Sequence, residues 1–180
     1  MTQYETRRQQ VEERLQAREI RRRASIHRDR KAGFRSFTRL VGALVSTTAG
    51  WRSFLAAGPL VGLPRSERRA LKRVTSRFDV PAGKPLLRQG EFADSFFLIE
   101  TGEVSVIGRG GPIARLGAGD FFGEIALITQ RPRTASIVAT TDVRLRVIPE
   151  LDFTHAMCSL PTFARIIRDA AHQRLTPATS

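Results

Sequence analysis

The sequence predicts an α+β fold: an antiparallel β-barrel or jelly roll with helices on both sides and a basic helical arm in front. Two observations carry this prediction. From Phe78 to Ile148, short runs rich in β-branched and aromatic residues alternate with glycine and proline turns, which is typical of a closed antiparallel barrel. On both sides of this region, apolar residues recur at helical spacing.

Residues 1–32 are rich in Arg, Glu and Gln and contain neither glycine nor proline, which is the composition of a helix. Their apolar positions form only a thin stripe, so a weak coiled coil and a solvated helix fit equally well. After Gly33, apolar side chains three and four apart over residues 34–62 predict one or two short amphipathic helices. A further helix is predicted from Pro64 to about residue 77, with Ser66 as a candidate cap.

The rest of the chain consists of the β region and the helices that follow it. A glycine-rich hairpin loop is predicted over residues 108–112, and the final helices are predicted over residues 150–159 and from Pro161 to Leu175. We expect a basic arm (1–47), a barrel domain with its helices (48–175) and a disordered tail (176–180). Strands are predicted at residues 77–80, 84–88, 95–100, 103–107, 113–116, 135–139 and 142–148.

The charge of the chain predicts an anionic partner. Thirty Lys and Arg against 17 Asp and Glu give a net charge of +13, a balance that attracts nucleic acid, anionic membrane surfaces or acidic proteins. The single cysteine, Cys158, excludes an internal disulfide, and the three histidines have no metal-ligand spacing. No secretory signal and no apolar run long enough for a membrane helix is present, so we expect a soluble, cytoplasmic protein.

One segment has the chemistry of an anion site. Gly123 lacks a Cβ and lets a ligand approach the backbone. The residues after it can form one helical turn, whose first N–H groups have no internal partner and attract an anion. Arg133 supplies a permanent cation with planar donors suited to a phosphate, and Thr134 adds a hydroxyl. Glu124, an acceptor beside that site, predicts a bound sugar hydroxyl.

The segments 86–102 and 122–137 together resemble the signature of the cyclic nucleotide-binding domain family, which includes catabolite activator protein, protein kinase A regulatory subunits and cyclic-nucleotide-gated channels. The second segment is similar to the phosphate-binding cassette of that family at Gly123, Glu124, Ala126, Leu127, Arg133 and Ala135. The first also matches, except at Leu87, where a smaller β-branched residue is more usual. The resemblance covers residues 48–175 and implies the same fold.

The resemblance also implies roles for the matching positions around the phosphate. Arg133 would pair with the cyclic phosphate, and Glu124 would accept a hydrogen bond from the ribose 2′-hydroxyl. Gly123 would permit the close approach. The backbone N–H groups of Ile125 and Ala126 would complete the phosphate site, with Ala135 nearby.

For the base, the resemblance implies apolar walls formed by Val106 and Leu116. Thr134 would contact the phosphate and reach a guanine amino group if the base is syn. The last helix is similar to the lid helix of the family, so Arg174 or Ile167 would cap the base.

The resulting hypothesis is a non-catalytic sensor of cAMP or cGMP that needs no cofactor or metal, since no nucleophile–base set can be assembled from the sequence. Ligand binding would shift a population of helix positions. A charge-assisted hydrogen bond from Arg133 contributes about 1.5–3 kcal/mol. We expect Arg133→Ala to weaken binding at least tenfold while hardly changing the thermal stability of the ligand-free chain.

The output of the sensor stays open at this point. Few residues follow the last helix, so we expect the output to lie in residues 1–47 or in another protein. In one interpretation the arm docks on a protein partner that the module regulates. In the alternative it binds nucleic acid through its arginines, which makes a ligand-tuned nucleic-acid-binding protein. An anionic membrane surface as partner, a homodimer and the choice between cAMP and cGMP are left open.

Overall fold

The computed structural model describes residues 58–176. The basic arm (1–47), the predicted helices before residue 58, the domain start at residue 48 and the tail beyond Thr176 lie outside the described residues. Those predictions stay predictions.

Two short helical elements open the described region: a 3₁₀ turn, Pro59–Gly62, and helix α1, Arg65–Val74. The prediction that α1 runs to about residue 77 is wrong, because Thr75 is already extended (φ −99°, ψ 136°) and leads into the first strand. The prediction of Ser66 as the cap is also wrong. Pro64 occupies the cap position, and no side chain caps the helix there.

Within residues 58–176, eight strands form two antiparallel four-stranded sheets, which confirms the predicted jelly-roll architecture. The first sheet has the order β1-β8-β3-β6 and the second has the order β2-β7-β4-β5. The strand bounds are β1 Ser76–Val80, β2 Pro85–Leu87, β3 Ser95–Thr101, β4 Val104–Gly108, β5 Gly111–Leu116, β6 Phe121–Phe122, β7 Ser136–Ala139 and β8 Val143–Pro149.

The seven predicted strands are all present, and two local features differ. The β4–β5 turn is tighter than the predicted loop, because Gly108 already pairs with Gly111. The prediction missed β6, which is only two residues long and pairs with β3 at Phe97 and Leu98. A two-residue strand is too short to show alternation, so periodicity could not reveal it.

Strand β3 is buried on both faces, which explains its continuous apolar run. Phe96 and Leu98 belong to a core that includes residues of the helices. Phe97 and Ile99 point to the opposite face of the strand and are buried as well. The first sheet therefore forms the middle layer between the helices and the second sheet.

Two helices follow the sheets and match their predicted bounds: α3, Glu150–Ser159, and α4, Pro161–Leu175. Phe163 and Ile167 of α4 pack into the core shared with Phe96. The start of α4 is capped from α1, because the Glu67 carboxylate accepts hydrogen bonds from the N–H groups of Thr162 (3.2 Å) and Phe163 (2.9 Å). Within residues 58–176, no helix has the length and apolarity to cross a membrane.

Candidate functional site

A short helix between β6 and β7, α2 (Glu124–Thr129), is separated from the end of β6 by one residue. The chain enters α2 at Gly123, which has a left-handed backbone conformation (φ 90°, ψ 0°). This conformation is unfavourable for residues that carry a Cβ. No side chain caps α2, so its first N–H groups stay available to an outside acceptor. The structure therefore contains the short helix start that the sequence predicted after Gly123.

Arg133 is buried against that turn, with 4% of its surface exposed. Its Nη1 donates to the carbonyl oxygen of Gly123 and its Nη2 to that of Ser95, both at 2.8 Å. A Cβ on residue 123 would lie 2.8 Å from Arg133 Nη1. The missing Cβ of Gly123 thus makes room for this guanidinium, a reason that the sequence alone did not reveal.

Arg133 also has an acidic neighbour, Asp94, whose Oδ1 lies 3.7 Å from Arg133 Nη2. Burial lowers the pKa of Arg133 to about 10, with Asp94 and Glu124 opposing the shift. The guanidinium is therefore still a cation at neutral pH. Burial raises the pKa of Asp94, and Arg133 opposes that shift.

These contacts change one expectation. Arg133 donates hydrogen bonds to two backbone carbonyls, so Arg133→Ala should lower the stability of the chain. Each buried acceptor left without a donor costs about 1–3 kcal/mol. In place of the expectation that this substitution hardly affects thermal stability, we therefore expect it to lower the thermal stability of the chain.

Glu124 is almost fully buried (1% exposed) and already has a partner. Its Oε1 accepts a 2.8 Å hydrogen bond from Nη1 of Arg174, in the last turn of α4. The same nitrogen donates to the carbonyl oxygen of Phe121 at 3.0 Å, and the Arg174 guanidinium carbon lies 4.8 Å from the centre of the Phe121 ring. The end of α4 is thus tied to the carboxylate that we predicted to hold a sugar.

A cavity of about 420 Å³ lies between β-strands of both sheets, α2 and the end of α4. Its size falls within the range of small-molecule sites, about 300–1,000 Å³. Apolar side chains line most of it, with two guanidinium groups and one carboxylate among them. The lining residues are Leu87, Val106, Ile113, Ala114, Leu116, Phe122, Gly123, Glu124, Ile125, Ala126, Arg133, Thr134, Ala135, Ile137, Arg174 and Leu175.

The structure brings ten of the eleven predicted site residues to this cavity. The exception is Ile167, which is fully buried in the core with Phe163 and does not line the cavity, so it cannot cap a ligand there. Sequence reasoning missed Leu175, although it is the last apolar residue of α4 and follows Arg174. It also missed Ile113, an exposed residue of the edge strand β5. An apolar side chain on an edge strand was the only sequence signal that could have pointed to this residue.

The arrangement suits an anion that carries hydroxyl groups. Arg133 and the start of α2 present positive charge and N–H donors, while Glu124 presents an acceptor on the same cavity. Across residues 58–176, no three His, Cys, Asp or Glu side chains stand together in a way that could hold a metal ion.

Comparison with known proteins gives a family match over the same region. Residues 77–158 match the family model described as the cyclic nucleotide-binding domain. The match begins in β1 and ends in α3, so it contains both sheets and α2.

Individual relatives agree with that match. The chain is 43% identical over 95 residues to a cyclic nucleotide-gated potassium channel of Rhizobium etli, covering 53% of this chain and 26% of the channel. It is 38% identical over 98 residues to a cAMP-dependent protein kinase regulatory subunit of Aspergillus niger, covering 53% of this chain and 24% of the subunit. The chain thus spans about a quarter of the length of these two relatives.

A solved structure shows the same fold. The regulatory subunit of a cAMP-independent protein kinase A from Trypanosoma brucei superposes with a TM-score of 0.61 at 25% identity. The superposition covers 71% of this chain and 45% of that subunit.

Proposed function

We propose, on the premise that residues 77–158 belong to the cyclic nucleotide-binding domain family, that the cavity beside α2 binds cAMP or cGMP and that the chain acts as a non-catalytic sensor. The single observation that carries this proposal is the convergence of Arg133, the start of α2 and Glu124 on one cavity. A cyclic nucleotide presents a phosphate anion and a ribose hydroxyl a few ångströms apart, which is the pair of groups that this cavity would satisfy.

The phosphate would bind at the start of α2. The N–H groups of Ile125 and Ala126 and the guanidinium of Arg133 supply donors there, with Thr134 and Ala135 at the cavity wall. Arg133 now donates to two carbonyls, and its planar fork has further N–H groups for a phosphate oxygen. Its position is held by the backbone, so little side-chain entropy is lost when the ligand binds.

The base would lie against the apolar part of the wall. Val106, Ile113 and Leu116 of the second sheet face the cavity, and Leu175 lines it from α4. Apolar walls accept either purine. Family membership alone does not decide the ligand either, because the matched Trypanosoma brucei subunit belongs to a cAMP-independent kinase.

Regulation of a partner would follow from the double use of Glu124. A ribose hydroxyl that donates a hydrogen bond to Glu124 would share that carboxylate with the guanidinium of Arg174, which already donates to it. The ligand therefore has different contacts with α4 docked and with α4 displaced, and this difference in affinity shifts the population of the two states. A protein partner that contacts the flanking helices would sense that shift.

The test is calorimetric titration of cAMP and of cGMP into the full chain and into Arg133→Lys. Lysine keeps the charge but cannot donate as a planar fork, so affinity should fall at least tenfold, equivalent to about 1.4 kcal/mol. Circular dichroism of each variant establishes that it is folded.

The matched control is Arg131→Lys, the same chemical change two residues away at an exposed position that does not line the cavity. It should leave both affinities unchanged. The proposal fails if the wild-type chain binds neither nucleotide, or if the two lysine variants bind the same as each other.

A further inference from the structure

The outward face of α1 carries a run of four exposed cations: Arg65, Arg69, Lys72 and Arg73. At about 100° per residue, the four side chains fall within an arc of about 100° around the helix axis. They extend over about 12 Å along it. One face of α1 is therefore a compact basic surface, and we call these four residues the α1 basic face.

No acid neutralises this face within the described part of the chain. The only acidic residue of α1, Glu67, is 6% exposed, and its carboxylate is used to cap the start of α4. Among residues 58–176, none of the four cations takes part in an ion pair. By contrast, Arg165, exposed on α4, has Asp169 at 3.7 Å.

The opposite side of α1 is already occupied. Leu71 is fully buried in the core together with Leu60 and Leu63 of the preceding segment. A helix that binds a lipid surface inserts an apolar face, and α1 has no such face left. Residues 1–57 carry 13 Lys and Arg against 5 Asp and Glu, so the basic face has the same sign as the chain that precedes it.

We propose that the α1 basic face binds the phosphate backbone of a nucleic acid. Each strand of a duplex carries a phosphate every 3.4 Å of its axis, so about three or four phosphates lie along the length of the four cations. Arginine pairs with phosphate through two parallel N–H donors. No exposed aromatic residue on α1 could stack on a base, so the contact is independent of base sequence. This surface is separate from the nucleotide cavity, and the proposal does not rest on the proposed function.

The experiment measures fluorescence anisotropy of a labelled DNA duplex of mixed sequence with the full chain, over a series of NaCl concentrations. Each phosphate contact contributes about −0.9 to the slope of log K against log[salt]. The double variant Arg65→Glu with Arg69→Glu should make this slope shallower by roughly 1.8 and weaken binding at least tenfold at about 0.1 M salt. Both substitutions lie in the first half of α1, where the helix dipole favours acids, so α1 should still form.

The matched control is Arg109→Glu with Arg115→Glu, two exposed arginines of the β4–β5 hairpin that make the same change in net charge. The proposal is supported if the α1 variant lowers the slope and the hairpin variant does so clearly less. Equal slope changes mean that only net charge matters and overturn it. A wild-type chain without salt-dependent DNA binding overturns it as well. So does an α1 variant that keeps the DNA affinity of the wild type and loses only its binding to phosphatidylserine vesicles or to an acidic polypeptide.

Discussion

Arg133 shows how one side chain can serve both the fold and the site. Its guanidinium donates to the carbonyls of Gly123 and Ser95 while its edge lines the cavity. A buried cation normally has a lowered pKa, and the nearby Asp94 and Glu124 limit that effect for Arg133. The residue is therefore a fixed cation before a ligand arrives, which is the condition for electrostatic preorganisation.

Asp94 makes the stability of the chain depend on pH in a defined direction. Burial raises its pKa above the usual 3.8, with Arg133 opposing. A carboxyl group whose pKa is higher in the folded chain contributes stability at low pH that is lost as the pH rises through the folded pKa. We therefore expect the free energy of unfolding of the wild type, relative to Asp94→Asn, to fall between about pH 3 and pH 7.

Urea titrations of both proteins across that range measure the difference directly. Other titrating groups are common to both chains and largely cancel in it. A difference that rises with pH would contradict the raised pKa of Asp94.

At the scale of elements, both ends of α4 are held by side-chain hydrogen bonds to other parts of the chain. Glu67 of α1 caps its first turn, and Arg174 in its last turn donates to Glu124 of α2. Between these ends, Phe163 and Ile167 are buried in the core. The last turn is therefore the part of α4 whose position depends on a polar contact in the cavity.

Arg174→Gln should loosen that last turn. Glu124 is 1% exposed and would lose its cationic partner, whereas the side chain of Arg174 is 30% exposed, so water can replace part of the interaction. We expect a loss of about 1–3 kcal/mol in the free energy of unfolding and faster hydrogen exchange in the last turn of α4. Hydrogen exchange with mass spectrometry and urea unfolding measure the two effects.

The comparison variant is Arg168→Gln, the same change at an exposed position of the same helix that does not line the cavity. It should change neither quantity. If both variants exchange at the wild-type rate, the Arg174–Glu124 contact does not hold the end of α4.

At the scale of the whole molecule, the cavity joins elements that are far apart in the chain. Its wall runs from Leu87 of β2 to Leu175 of α4, and both sheets contribute to it. A ligand there would contact the second sheet, α2 and α4 at once. Its binding free energy would therefore add to the stability of the folded unit rather than to one local element.

A cyclic nucleotide that binds this cavity should raise the midpoint of thermal unfolding. At one hundred times the dissociation constant, the added stability is about 2.7 kcal/mol, which corresponds to roughly 5–10 °C for a chain of this size. Differential scanning fluorimetry over a nucleotide series measures it. The linear nucleotide 5′-AMP is the control and should give a much smaller shift, and equal shifts for the two compounds would contradict recognition of a cyclic phosphate.

The sequence by itself determined seven of the eight strands within residues 58–176, the two helices after them and the assignment of Gly123 and Arg133 to one predicted anion site. Alternation, glycine turns and helical spacing are local properties that the sequence shows directly. The two-residue strand Phe121–Phe122 was not predicted, because two residues are too few to show the alternation typical of a strand.

Only the tertiary structure decided which side of α4 meets the cavity. Ile167 and Arg174 are seven residues apart on one helix, yet the first is buried in the core and the second reaches Glu124, 50 residues away along the chain. Helical periodicity shows that a face is apolar and does not show what covers it. The packing of Phe163 and the cap from Glu67 set the position of α4, and these contacts join parts of the chain that no local pattern relates.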